Sequence, residues 1–171
     1  MKGAASIAFA ALLLPVAVMA AESGVMEGQT VSGPATVVDG STLEVDGTTF
    51  RLADTVAPGR AQICRKGSAD WACGEAASRT LQGLIAGRTV KCDALERDLD
   101  GYPLAVCYAG DDELNRAMIA SGMAVVHWQV GLDYAEVQSV AKAARLGLWA
   151  SSFDDPYDWR HKHTAASDTH S

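Results

Sequence analysis

Residues Val37 to Gly59 read VVDGSTLEVDGTTFRLADTVAPG. Two Asp-Gly pairs, Asp39-Gly40 and Asp46-Gly47, separate three short runs rich in β-branched and apolar residues: Ala35–Val38, Thr42–Val45 and Thr48–Leu52. An Asp-Gly pair between such runs is a strong hairpin signal, since tight hairpin turns place their central residues at positive φ, where Gly and Asp are tolerated. The stretch predicts three successive strands joined by tight turns.

Working outward, the loop from Ala57 to Ala72 carries Pro58, Gly59, Gly67 and a first cysteine, Cys64. From Cys73 to Ala86, the residues Ala77, Leu81, Leu84 and Ile85 fall on one helical face, with Gly87 placed to end the helix. Thr89–Asp93 and Leu104–Tyr108 read as two further strands around an Asp-Leu-Asp-Gly turn. A second helix is expected from Asp111 or Asp112 through Leu114, Met118 and Ser121, stopped by Gly122. A third begins at Asp133, where Glu136 completes a capping-box spacing, and Val137, Val140, Ala141 and Ala144 form its buried stripe.

Upstream, Met1–Ala20 has the make-up of a secretory signal: Lys2, an apolar core from Ile7 to Val18, and Val18-Met19-Ala20 as a small-residue cleavage site. The apolar run, broken at Pro15, is short for a spanning helix, which needs about 20 residues. Removing Lys2 with this leader leaves 13 basic against 21 acidic residues, a net charge of −8. Such a charge repels polyphosphate at long range unless a local groove is basic. Residues 21–30 read as a polar leader, 31–160 as one domain, and 161–171, beginning HKHTAAS, as an unpatterned disordered tail. Secretion or a periplasmic location and a monomeric state are expected, with no membrane span once the leader is cut.

Four cysteines in an exported chain read as two disulfides, with three possible connectivities. Folding the chain at Leu99-Asp100 sets Cys92 opposite Cys107 and leaves Cys64 with Cys73. Chain entropy gives each closed loop about 2.5–3 kcal/mol. The spacings lack the close cysteine pairs of structural zinc sites.

The Val37–Gly59 segment resembles the opening of staphylococcal-nuclease-like (thermonuclease) domains, which read V-x-D-G-D-T-L-x-V-x-G-x-x-x-R-L-x-G-I-D-A-P-E. Two later pieces support the resemblance: Gly147-Leu148-Trp149 after Ala141, and F-x-x-P-x-x-W-R from Phe153 to Arg160. It implies an α+β fold, an OB-type five-stranded Greek-key barrel packed with about three helices.

The resemblance also implies a phosphodiesterase site made of a carboxylate-bound calcium ion, a general base and two arginines. The three acidic positions fall on Asp39, Ser41 and Val56. Calcium prefers six to eight oxygen ligands and charged ones above all, so this set holds it weakly. Asp39 also has a plain role as the first residue of a turn. The base position is Gly59, and losing a positioned base costs about 10²–10⁴ in rate. The first arginine is present as Arg51, which has a structural reading as the partner of a surface carboxylate. The second falls on Tyr102 within Asp98–Ala105, and such an arginine is worth about 10³–10⁵. Asp54 is a possible substitute ligand through a register shift, and Glu75, Asp98 and Asp100 are loop carboxylates within conceivable reach.

Other candidates have ordinary explanations. His161, His163 and His170 read as a solvated tail, and His127 as a satisfied histidine. Trp128, Trp149, Trp159 and Tyr134 read as packing residues, and Trp71, inside the small cysteine loop, as the exposed, recognition-competent tryptophan. The sequence thus predicts a nuclease homologue without catalytic function or cofactor. Its expected partner is an envelope protein or an oligosaccharide rather than nucleic acid. The alternative is a metal-dependent endonuclease or phosphodiesterase with a rearranged, calcium-bearing site.

Overall fold

The computed structural model describes residues 24–130 and 133–167; the expected signal over Met1–Ala20 and the end of the tail, with His170, lie outside the described residues. The three runs of the opening segment form β2 (Ala35–Asp39), β3 (Thr42–Val45) and β4 (Thr48–Leu52), paired in sequence order and antiparallel. Asp46 and Gly47 both take positive φ at the β3–β4 turn, as the Asp-Gly signal requires. Gly40 is needed for a different reason. A Cβ there would lie 2.6 Å from that of Ala77 and 2.7 Å from that of Ala57, so only glycine lets the β2–β3 turn rest on the first helix.

That helix, α1 (Cys73–Ile85), buries Ala77, Leu81 and Ile85 on the expected face. The long hairpin follows as β8 (Val90–Arg97) and β9 (Pro103–Ala109). Cys92 stands directly opposite Cys107 in the register and is bridged to it, and Cys64 is bridged to Cys73. The expected pairing is the one present.

The sheet runs β1–β8–β9–β4–β3–β2, with β1 (Thr30–Gly33) along β8 and a parallel contact of β4 with β9 at Arg51↔Leu104 and Leu52↔Ala105. β2, β3, β4, β8 and β9 are the five expected strands of an α+β, OB-type architecture. Shorter pieces complete it. β5 (Thr55–Val56) pairs with β11 (Val125–Val126), β6 (Cys64–Lys66) with β7 (Ala69–Trp71), and β10 (Asp112–Glu113) with β9. Phe50, Leu43, Leu52, Leu81, Leu114, Met118 and Ile119 fill the main core, and the last three come largely from α2 (Leu114–Ala120). Fully buried Asn115 ties the layers together. Its amide donates to the carbonyls of Ala53 and Ala105, and its oxygen accepts from the Cys107 N–H, each at 3.0 Å.

Four expectations need correction. The expected polar leader is partly in the fold, because Val25 is buried in the main core and the backbone of Gly28 and Gln29 bonds to Ala94. α3 (Ala135–Ala143) starts at Tyr134 without a side-chain cap; Tyr134 itself is buried and donates to Glu113 at 2.6 Å, and that anchor sets the helix start. Of the expected α3 stripe only Ala141 is fully buried, Val137 is half-buried, and Val140 and Ala144 are exposed. Finally, the chain does not lose structure at Arg160. After a 3-10 turn at Gly147–Ala150, α4 runs from Pro156 to Ser167, a fourth helix where about three were expected. It lacks an apolar stripe. Ring contacts one turn apart run along it, Tyr157 with His161 at 4.0 Å and Trp159 with His163 at 3.9 Å between centroids, and Tyr157 and Trp159 also pack against the domain.

Candidate functional site

The β8–β9 hairpin tip forms one wall of the site. Asp98 organises it: one carboxylate oxygen accepts from the N–H groups of Asp100 (3.0 Å) and Tyr102 (2.9 Å), and the other accepts from Arg51 Nη1 at 2.5 Å. Asp100 accepts from the same nitrogen at 2.6 Å. The Tyr102 ring lies 4.4 Å from the guanidinium carbon, a cation–π contact on the remaining face. Burial opposes the Arg51 charge, but the bonds and fields of Asp100 and Asp98 outweigh it and raise its pKa. In return the Arg51 hydrogen bond holds the Asp100 carboxyl below its usual range. The arginine that reads as a phosphate ligand is therefore tied on one nitrogen to two carboxylates and covered by an aromatic ring.

The opposite wall comes from β5 and β11. Between β4 and β5 the chain turns at Asp54 with φ 51°, a left-handed conformation that Asp tolerates. Asp54 is fully buried, and its carboxylate accepts from the N–H groups of Gln129 and, at 2.8 Å, Val130. Asp54 thus faces the 127–130 segment. Within that segment His127 stacks on Tyr157 of α4 at 3.8 Å, and its buried Nδ1 has no partner among the described residues, so it is not the satisfied histidine expected. Trp128 is 58% exposed, whereas Trp71 is half-buried against the core beneath the Lys66 ammonium. The exposed tryptophan is Trp128, contrary to expectation.

The remaining family positions meet α4. Asp39, 8% exposed, accepts from Arg160 Nη1 at 2.7 Å. Nη2 of the same guanidinium donates to Ser41 Oγ at 3.3 Å and to the Ala57 carbonyl at 3.2 Å. Ser41 Oγ also accepts from the Ala57 N–H, and the Asp39 carboxylate accepts from the Ser41 N–H. Val56 sits in a second apolar cluster with Val125, Leu148 and the Cys64–Cys73 bridge, a setting that disfavours a charge. Gly59 lies under Trp159, and a Cβ at that position would come within 2.4 Å of Trp159 Cζ3. Glu75 is away from this group, 3.6 Å from Arg60 and 3.9 Å from Arg79.

Asp39, Ser41 and Arg51 are thus brought to one side of the molecule with Arg160, Trp159, Tyr157 and Trp128, and the last four were not singled out as site residues from the sequence. The W-R spacing was the available signal for Trp159 and Arg160. Among the described residues no three His, Cys, Asp or Glu side chains cluster as metal ligands.

The sequence from residue 49 to 151, which carries Arg51 and the β8–β9 hairpin, matches the family described as Staphylococcal nuclease homologue. The chain belongs to that family. It is 32% identical to the succinoglycan biosynthesis protein ExoI of Rhizobium meliloti (strain 1021), over 86% of this chain and 78% of that protein. It is 31% identical to an uncharacterized endonuclease of Escherichia coli O157:H7, over 74% of this chain and 82% of that one. An uncharacterized endonuclease of Haemophilus influenzae is 30% identical over 66% of this chain and 60% of its own length. Two disulfides of the kind an oxidising compartment sustains accompany the family domain, and no described helix is long and apolar enough to cross a membrane.

Proposed function

We propose that this family member is an exported, secreted or periplasmic protein whose hydrolytic site is closed by its own C-terminal helix, and that it works as a binding module in the cell envelope. One observation carries the reading: the Arg160 guanidinium lies on Asp39, Ser41 and the Ala57 carbonyl, and the first two stand at acidic positions of this family's site. A bound guanidinium and a divalent ion compete for the same carboxylate. With Val56 apolar and Gly59 bare, one carboxylate and two neutral oxygens do not fit calcium, a cation whose affinity follows ligand charge. Arg51 Nη1 is held by Asp98 and Asp100, so a phosphate at this arginine meets two carboxylates beside it. An oligosaccharide or an envelope protein suits the net negative charge better than nucleic acid does.

The names of the endonuclease relatives favour a second reading, a metal-dependent nuclease with a rearranged site. The experiment that separates the two incubates the oxidised protein with single-stranded DNA and with RNA in calcium, magnesium or manganese, with a chelator control. No metal-dependent cleavage is expected. Cleavage that vanishes in Asp39→Ala or Asp54→Ala would establish the second reading.

A further inference from the structure

We propose that the cleft between the β8–β9 hairpin tip and the 127–130 segment is a saccharide site that takes the end of a neutral oligosaccharide. This deepens the binding-module reading above and rests on it. The cleft has a volume of about 380 Å³, within the range of small-ligand sites, roughly 300–1,000 Å³. Its rim carries two exposed apolar groups from opposite walls, the Trp128 ring and Leu99, which is 96% exposed at the hairpin tip. Exposed Glu96 and half-buried Gln129 also line the space, and neither side chain makes a hydrogen bond among the described residues.

The pattern matches sugar chemistry. A pyranose presents hydroxyls that both donate and accept, around a flat C–H face. A carboxylate offers acceptors and an amide offers both functions, so Glu96 and Gln129 suit the hydroxyls, while an exposed indole suits the C–H face. The cleft is poor for a polyanion, because the carboxylates of Glu96, Asp98 and Asp100 outnumber its two guanidinium groups, Arg51, whose Nη1 is held by Asp98 and Asp100, and Arg97, which donates to the carbonyls of Gly101 (2.6 Å) and Val25 (2.7 Å). It is also a weak trap for a polycation, since those guanidinium groups offset most of the charge of Glu96, Asp98 and Asp100. Both walls are held before any ligand arrives. Asp98 fixes the hairpin tip through Asp100 and Tyr102, and Asp54 fixes the backbone beside Trp128 through Gln129 and Val130. Preorganisation of this kind lowers the entropy lost on binding.

The test titrates the oxidised protein with cellotetraose and with laminaritetraose, reading tryptophan fluorescence and calorimetry, beside an oligothymidylate and a polylysine peptide. Saturable binding of one tetrasaccharide is expected, about tenfold weaker in Trp128→Ala and in Glu96→Ala. Both side chains are exposed and make no hydrogen bond or ion pair among the described residues, so unchanged unfolding midpoints show that the variants fold. No saturation by roughly 10 mM of either sugar, binding indifferent to both substitutions, or tighter Trp128-dependent binding of the oligothymidylate or polylysine would each overturn the inference. The cleavage assay run on the same sample separates the two ideas. Absent cleavage with absent sugar binding removes the saccharide site alone, and cleavage alongside Trp128-dependent sugar binding removes only the closed-site reading.

Discussion

Replacing Arg160 with alanine strips the Asp39 carboxylate of its charged partner. Among the described residues Asp39 then keeps the Ser41 N–H at 2.8 Å and the Ser41 hydroxyl at 3.4 Å, in a setting where it is 8% exposed. Removing one member of a fully buried ion pair costs about 3–5 kcal/mol, because the survivor is left charged without compensation. Here the two side chains keep 18% and 11% of their exposure, so some water reaches the carboxylate and the expected loss falls to about 2–3 kcal/mol. Arg160 has other contacts, and truncation removes those as well. A double-mutant cycle with Asp39→Asn subtracts them and should return a coupling energy of about 1–3 kcal/mol. Urea unfolding of the oxidised protein at neutral pH measures all four corners. A coupling below about 0.5 kcal/mol would mean that α4 does not deliver its guanidinium to Asp39, and the reasoning behind the closed site would fail.

Other substitutions probe the neighbouring contacts. Gly59→Ala sets a Cβ within 2.4 Å of the Trp159 ring and should cost about 1–3 kcal/mol in urea unfolding; the same change in a Trp159→Ala background should cost far less, and equal costs would refute the close contact. Asp54→Ala should destabilise by about 2–3 kcal/mol and speed amide exchange at Gln129 and Val130, whereas Asp54→Asn, which keeps an acceptor and tolerates the left-handed turn, should do less; unchanged exchange in both would dissociate Asp54 from the Trp128 wall. The Asp100 carboxyl is held low in the folded state, so its link to Arg51 contributes fully above the ordinary carboxylate value, about pH 4, and is lost as the pH falls through the lowered value. Amide shifts of Gly101 should therefore stay constant from neutral pH to about pH 4 and move below it; a transition near pH 6 would point to another group.

The fold was legible where local chemistry and register coincide. Asp-Gly turns fix the β2–β3–β4 succession, and a chain folded at Leu99-Asp100 must bring Cys92 against Cys107. The edges were less legible. β1 has only four residues and alternates exposed with half-buried positions, and Val25 is a single apolar anchor inside polar sequence. α4 was hidden because periodicity searches detect apolar stripes, whereas this helix packs through Tyr157, Trp159 and one guanidinium. In the site, the residue types at positions 41, 56, 59 and 102 could be read directly. What fills the gaps could not, because Arg160 reaches Asp39 across 121 residues and Trp159 covers Gly59 across a similar span. Trp71 and Trp128 exchanged roles for a related reason: within an otherwise exposed Cys64–Cys73 loop the Trp71 ring packs against the core, while in the half-buried 127–130 segment beside the Asp54 anchor Trp128 is the exposed residue.

The Arg160 contact gives the protein an unusual independence from its surroundings. A metal ion occupies a site according to its concentration in solution and leaves when a chelator lowers that concentration. A guanidinium delivered by the same polypeptide is present at an effective concentration set by the chain, on the order of millimolar or more for short flexible tethers. Neither dilution nor a chelator removes an occupant tethered in this way. Any external cation that would take Asp39 must first displace a helix.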